Sequence, residues 1–375
     1  MQVRQICTVE VCVLARELDK GLKGYKIDKF YETGQGRFRF RLSKERRKVD
    51  LVCVLCKRIN TTDTVEAAEK PTNFVLAMRK RIGSFGIESI SQVNNDRIIS
   101  MAVSKGVEKA EIIIEMFGKG NIIVVDGSRT IKLAYTNHRF KDRVVFPKEK
   151  YDAPKNDGLN ISMLAGAKEA VMRATADSSQ ESVIKGLVKA ANIGSVYVDN
   201  AITAAKIDPK RELGSLDNVE MGEIADKLSA IEKMIEEPAP MVYMDGEKPV
   251  EYAITRLIKR KEEEHGFSTL NEALDFYSKN EPEEVEKREN PKAKELEISM
   301  DRQKEALTRI NDEIEQNKKA GELIFSNMHT INEMIETARN DRHITKEQLQ
   351  KLFPDIRIIE VDLKRKRIRF STVPD

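Results

Sequence analysis

Apolar residues recur at helical spacing near the start of the chain, where Val11, Leu14, Ala15, Leu18 and Leu22 follow an N-cap at Thr8 and stop at Gly24. The pattern predicts an amphipathic helix. The period then falls to two, and strands are predicted around 25–33, 37–43 and 49–56. The middle one, Arg37-Phe-Arg-Phe-Arg-Leu42, alternates without a break, so Phe38, Phe40 and Leu42 face a core and Arg37, Arg39 and Arg41 share the other face. After Pro71, residues 72–82 read as a short helix burying Phe74, Met78 and Ile82 and exposing Arg79, Lys80 and Arg81. Strands follow at 87–93, 98–103, 110–117 and 122–125. A hairpin brings 138–143 to the surface, and Pro154 marks a domain edge.

Residues 160–235 read as wholly helical. Within them, 186–195 and 197–206 resemble a helix-hairpin-helix, whose tight turn aims backbone N–H groups at a phosphate; Asn192 stands where a first glycine is usual. Packing of two Ala-rich core helices accounts for the same pattern. Residues 240–247 read as a strand and turn pairing with something already built, and 267–277 as a capped helix start. From Leu296 to Ala338 apolar residues alternate at four and three, interrupted by Gln303 and Asn317. That is a heptad seam, and such a helix needs a partner. Either two chains pair, or a returning helix lies outside this chain; the second is the expectation here. A short strand pair, 356–363 and 367–371, follows. The fold class is α+β: a β-rich domain with flanking helices (1–155), a helix-hairpin-helix domain (156–238), a return strand with connecting helices (239–290), a coiled-coil arm (291–340) and the start of a middle region (341–375).

Charge changes this picture. The chain of 375 residues has a net charge of only +3. Residues 1–150 nonetheless carry 30 Lys and Arg against 18 Asp and Glu, and the remainder 35 against 44. A basic first part points to a polyanionic partner. No stretch has a signal peptide's apolar run or the roughly 18 apolar residues of a membrane span, so a cytoplasmic protein is expected. Cys53 and Cys56 have the spacing of a zinc half-site, for which Cys7 and Cys12 are the candidate second half. They sit in an apolar strand, where free Cys behaves as a small hydrophobe, so no metal is expected.

Two features carry candidate chemistry. The face formed by Arg37, Arg39 and Arg41 suits phosphate binding, or equally a solvated edge whose charges oppose aggregation. The turn 92–97 sets Asp96 beside Arg97 just before an apolar strand. By itself such a pair is more often turn punctuation or a surface ion pair than a site.

Taken together, the opening helix, Pro71-x-x-Phe74 with Met78-Arg-Lys80, the Asp96-Arg97 turn, 116–122 (Met-Phe-Gly-Lys-Gly-Asn-Ile), Arg139-Phe-x-Asp-Arg143 and Ser268-x-Leu-Asn-Glu-Ala-Leu274 resemble the NFACT family of ribosome-associated quality-control factors. The chain is similar to the N-terminal half of an archaeal-type member. The resemblance implies a two-helix coiled coil completed by a missing C-terminal half. It also implies a factor that binds the stalled large ribosomal subunit with peptidyl-tRNA and recruits aminoacyl-tRNA, alanyl-tRNA above all. The nascent chain then receives a C-terminal, mRNA-independent tail. Peptide transfer would belong to the ribosome, so the protein is expected to be no enzyme and to need no cofactor. By the same resemblance Asp96 and Arg97 engage tRNA, with Arg79, Lys80, Arg139 and Arg143 contributing charge. An acid in the first helix accompanies them; here it is Glu10, where an Asp is expected.

Two rivals come from other classes. The architecture also resembles formamidopyrimidine-type DNA glycosylases, which attack a flipped base with an N-terminal proline amine. Residue 2 is Gln, no acid stands at position 3, and the zinc-finger cysteines are missing. A secreted fibronectin-binding adhesin would need a secretion signal.

Overall fold

The structure is a computed structural model that describes residues 4–64, 67–155, 167–280 and, within 310–371, all but 312–313, 316, 319–320, 323–324, 342 and 363–364. It divides into two units, 1–282 and 283–375.

The first unit is organised by a repeat. Helix α1 (Thr8–Leu22) leads into a meander of β1 (Lys26–Gly34), β2 (Arg37–Lys44), β3 (Arg47–Val54) and β4 (Arg58–Thr62); α2 (Asn73–Ile82) leads into β5 (Gly86–Gln92), β6 (Ile98–Lys105), β7 (Glu108–Glu115) and β8 (Asn121–Asp126). With β9 (Ile131–Ala134) they form one antiparallel sheet in the order β4-β3-β2-β1-β5-β6-β7-β8-β9. The halves meet through reciprocal bonds at its centre. Gly24 N donates to Ile87 O and Ser84 N to Ile27 O, while Ile27 N donates to Phe85 O and Ile87 N to Tyr25 O, all at 2.8–2.9 Å. Gly24 and the equivalent Ser84 both adopt positive φ, at 82° and 68°. Each half carries a register shift just after its first isoleucine, Ile27 or Ile87.

Alternation puts the predicted residues inside: Phe38, Phe40 and Leu42 are wholly buried against Phe30 and α1. Phe30 stacks on Phe38 and meets Phe40 edge-on. In α2 the buried face is Val75, Met78 and Ile82, with Phe74 only half-buried, one position away from the expected stripe. The N-cap lies one residue earlier than the expected Thr8: Thr8 is already helical, and Cys7 is the N-cap.

Two short strands, β10 (His138–Arg139) and β11 (Val144–Val145), make the expected hairpin. The helical region contains α3 (Ala167–Ser178), α4 (Val183–Ala191), α5 (Ser195–Ala204) and α6 (Asn218–Glu236); 156–166 lie outside the described residues. Strands β12 (Met241–Asp245), β13 (Lys248–Ala253) and β14 (Glu263–Gly266) form a separate sheet, ordered β13-β12-β14. The strand beginning near Pro240 thus pairs with later residues and not, as expected, with something already built. Helix α7 (Leu270–Asn280) docks beneath α1, because Glu17 accepts bonds from the N–H groups of Leu270 and Asn271 at 2.8 Å. Asn271 in turn holds β4, exchanging bonds with Thr61. One apolar core runs through the sheet, the helices α3–α6 and the small sheet. A second, smaller core joins Ile98, Ile113, Ile123 and Val125 to Ile131, Val145 and Tyr151.

In the second unit, α8 (Met328–Asn340), α9 (Lys346–Leu352), β15 (Arg357–Asp362) and β16 (Arg367–Ser371) enclose a small core of their own. The last turns of the predicted heptad belong to it: Ile331, Met334 and Ala338 are buried, whereas Ile335 is only half-buried. Ile310 and Ile314 are exposed, and the seam from Leu296 to Leu307 lies outside the described residues.

The close approach of Gly194 to Cys7 fixes α5 against α1. Gly194 has φ +105°, and a Cβ there would sit 2.6 Å from Cys7 Cβ. Gly194→Ala is expected to destabilise the first unit by about 1–3 kcal/mol in urea unfolding.

Candidate functional site

The Asp96-Arg97 pair is presented by the β5–β6 hairpin. Asp96 N donates to Val93 O at 3.0 Å, and the two central residues, Asn94 and Asn95, have φ 54° and 49°. Two left-handed residues make the turn that matches strand twist, and Asn tolerates that region better than other non-glycine residues. The Asp96 carboxylate accepts from Arg97 N at 2.7 Å. The Gln92 amide donates to Asp96 O and to Thr8 O, both at 2.9 Å, tying the turn to the start of α1. Arg97 Nη1 donates to Gln5 Oε1 at 3.2 Å, and Asn94 Nδ2 to Pro154 O at 3.4 Å. Both Asp96 and Arg97 are half-buried.

This turn faces the one between α4 and α5. Asn192, left-handed at φ 48°, ends α4, and Gly194 precedes α5. Two cavities flank the gap. One, of about 660 Å³, is lined by Asp96, Arg97 and Phe117 and, from the helices, by Arg173, Lys189 and Asn192. The other, of about 890 Å³, is lined by Arg4, Gln5, Arg97, Asn192, Ser195 and Glu251. Arg97 and Asn192 belong to both walls. Sequence patterns mark Phe117 only as part of the 116–122 motif and do not mark Gln5, Arg173 or Lys189, because these converge only through the fold.

Glu10 is elsewhere in character. It is 0% exposed and saturated with donors: Arg4 binds both carboxylate oxygens, Cys7 N donates at 2.9 Å and Tyr197 OH at 2.8 Å. Arg4 also pairs with Glu251, donates to Tyr252 O at 2.8 Å and lies 3.6 Å from the Tyr252 ring centroid. Burial pushes the Tyr197 hydroxyl well up, and the Glu10 carboxylate adds to the shift. The expectation that Glu10 touches tRNA is therefore corrected: its oxygens face protein. What Glu10 holds is Arg4, next in sequence to the Gln5 that meets Arg97.

The other candidate cations separate. Arg143 is buried and bidentate to Glu115, at 2.6 and 3.2 Å, so it does not offer its charge to a ligand. Arg39 is 5% exposed, 4.3 Å from the Tyr31 ring centroid and 3.9 Å from Asp50 Oδ1. Arg41 is half-buried and also pairs with Asp50, and Arg37 is half-buried. The predicted arginine face is thus largely covered. Arg79 donates to Phe30 O at 2.8 Å and lies 5.1 Å from the same Tyr31 ring, which leaves Lys80 and Arg139 exposed.

The cysteines do not gather. Burial pushes the Cys53 thiol up to about 12 and raises those of Cys7, Cys12 and Cys56. Among the described residues no three metal-ligating side chains converge, and no helix is long and apolar enough to cross a membrane.

Comparison with known proteins agrees with this architecture. Residues 8–358 match the family described as NFACT N-terminal and middle domains. The chain belongs to the NFACT family. It is 26% identical over 354 residues to the archaeal Rqc2 homolog aRqcH of Methanocaldococcus jannaschii, covering 90% of this chain and 52% of that protein. It is 26% identical over 295 residues to the Rqc2 homolog RqcH of Streptococcus pneumoniae, covering 72% and 48%. Against human ribosome quality control complex subunit NEMF the identity is 22%, covering 89% and 34%. The chain thus spans about half, or less, of the length of these relatives. Its fold is shared with the N-terminal part of the fibronectin/fibrinogen-binding protein of Streptococcus suis, with a TM-score of 0.57 at 22% identity, covering 74% of this chain and 100% of that one.

Proposed function

We propose that this NFACT protein is a ribosome-associated quality-control factor. It binds the stalled large ribosomal subunit with peptidyl-tRNA and recruits charged tRNA, so that the nascent chain gains a C-terminal tail, of alanine above all. The names of its relatives, Rqc2 homologues and a ribosome quality control complex subunit, support the general role. The protein positions tRNA, and the ribosome performs the transfer.

The observation that carries this reading is the place of Arg97, on the shared wall of two cavities with Asp96 beside it. A guanidinium there can hold a phosphate bidentately or stack on a base, and a neighbouring carboxylate can accept from a base or ribose hydroxyl. Lys189 adds positive charge to one wall, where Arg173 is paired with Asp177. At the other, Ser195 and Val196 open α5, where a helix leaves its first N–H groups without intrahelical acceptors, as a helix-hairpin-helix contact to phosphate requires, whereas Tyr197 N is bonded to Gly194 O. Exposed Lys80 and Arg139 strengthen attraction at longer range. In the complete protein the heptad of the second unit pairs with a returning helix to form an arm.

Binding of tRNA by the 375-residue chain is expected to be weak and to fall about a hundred-fold or more between roughly 50 and 200 mM salt. Titration by filter binding or fluorescence anisotropy checks this. Salt-insensitive binding would contradict a basic groove tracking a phosphate backbone.

A further inference from the structure

We propose that the β10–β11 hairpin is a stacking platform for an unpaired nucleotide of the RNA engaged at Arg97. The inference rests on the RNA-binding reading above and adds a second contact to it. Phe140, at the turn of the hairpin, is 38% exposed, and Phe146, past its open end and beside Arg139, is 37% exposed. The His138 ring meets Phe140 edge-on with centroids 4.3 Å apart, and the Arg139 guanidinium lies 5.9 Å from the Phe146 centroid. Arg139 and Lys141 are exposed on either side of Phe140 in the chain, against the exposed acid Asp142, while the Lys150 amine is taken up by Ser128 O. Aromatic faces interleaved with cations suit the bases and phosphates of a single strand.

The hairpin is rigid for its size. Two-residue strands are too short to hold themselves, but a buried clamp stands behind them. Arg143 is bidentate to Glu115, Tyr151 OH donates to the same carboxylate at 2.9 Å, and Arg143 Nη1 reaches Asp152 O at 3.4 Å. The guanidinium lies 4.6 Å from the Phe140 centroid and 5.8 Å from that of Phe117, which lines the cavity of Asp96 and Arg97. The platform and the cavity are therefore adjacent, joined through Arg143. This accounts for an arginine whose charge is neutralised by Glu115: it orients the aromatic surface and does not bind phosphate itself. A rigid stacking surface loses little entropy when a base lands on it.

The chain contains no Trp, so Phe140→Trp introduces the only indole. The probes are tRNA, an oligouridylate of about ten nucleotides and a blunt RNA duplex of similar length. Oligouridylate and tRNA are expected to quench Phe140→Trp emission, and the duplex, whose bases are paired, to leave it unchanged. Phe140→Ala is expected to weaken binding of both unpaired probes by about five-fold or more, while its circular dichroism and thermal unfolding match wild type. If wild type and Phe140→Ala bind RNA equally and the indole is not quenched, the platform is overturned and the patch is left to a protein contact. Loss of binding in Arg97→Ala in that same experiment would leave the Arg97 reading standing. If wild type binds none of the probes, both readings fall.

Discussion

A chain carrying Asp96→Ala and Arg97→Ala together is expected to fold as wild type does and, within the complete protein, to form no C-terminal tails on stalled nascent chains. The fold survives because the turn is held by its backbone: Asp96 N to Val93 O, and Met116 N to Arg97 O at 2.7 Å, are independent of the side chains. What is lost structurally is one bond from the Asp96 carboxylate and one from Arg97 to Gln5, about 1 kcal/mol each. Function depends on these groups differently. Each charge-assisted contact to RNA contributes about 1.5–3 kcal/mol, so losing both lowers tRNA engagement by about a hundred-fold or more. Tailing is read by immunoblotting nascent chains in cells whose only copy is the variant. Wild-type tailing in the double variant would remove Asp96 and Arg97 from the site.

Glu10→Ala should behave in the opposite way, losing stability first. It strips the buried Arg4 guanidinium of its bidentate partner and leaves Cys7 N and Tyr197 OH without an acceptor. Breaking a buried charge pair typically costs about 3–5 kcal/mol, and the remaining pairing of Arg4 with Glu251 places this one near the lower end. Because Tyr197 OH itself accepts from Ile254 N at 2.9 Å, the damage spreads from α1 to α5 and the end of β13. Glu10→Asp, one methylene shorter, should keep the charge but not reach both Arg4 and Tyr197, with an intermediate loss. Urea unfolding checks the series. A Glu10→Ala chain as stable as wild type but unable to bind tRNA would return Glu10 to the ligand-contacting set.

The contrast between these residues shows what periodicity can and cannot reveal. Helices α1 and α2 and the long strands were legible because one face of each is buried, and burial writes a period into the sequence. Strand β4 was not, since in Arg58-Ile-Asn-Thr-Thr62 only Ile59 is apolar; its place comes from pairing with β3 and from the Asn271 bonds. The internal repeat is written in only a few residue types, Tyr25-x-Ile27-Asp28 against Phe85-x-Ile87-Glu88, and becomes plain in the backbone, Gly24 against Ser84 and Gly36 against Arg97. Alternation correctly placed Arg39 opposite Phe38 and Phe40. It could not show that Tyr31 and Asp50 cover that face. Glu10 posed the same difficulty, since a first-turn acid is favoured by the helix dipole wherever it occurs, and its partners Tyr197 and Glu251 lie far along the chain. The hairpin turn itself was legible as a turn. Its importance depends on the α4–α5 turn opposite, which no local pattern announces.

The claim that the groove at Arg97 engages tRNA is tested most directly by sequencing the RNA that co-purifies with the complete protein and with its Asp96→Ala, Arg97→Ala variant. The account predicts that wild type brings down tRNA together with large-subunit ribosomal RNA, and that the variant keeps the ribosomal RNA and loses the tRNA. Equal tRNA recovery from both proteins, or none from wild type, would contradict it.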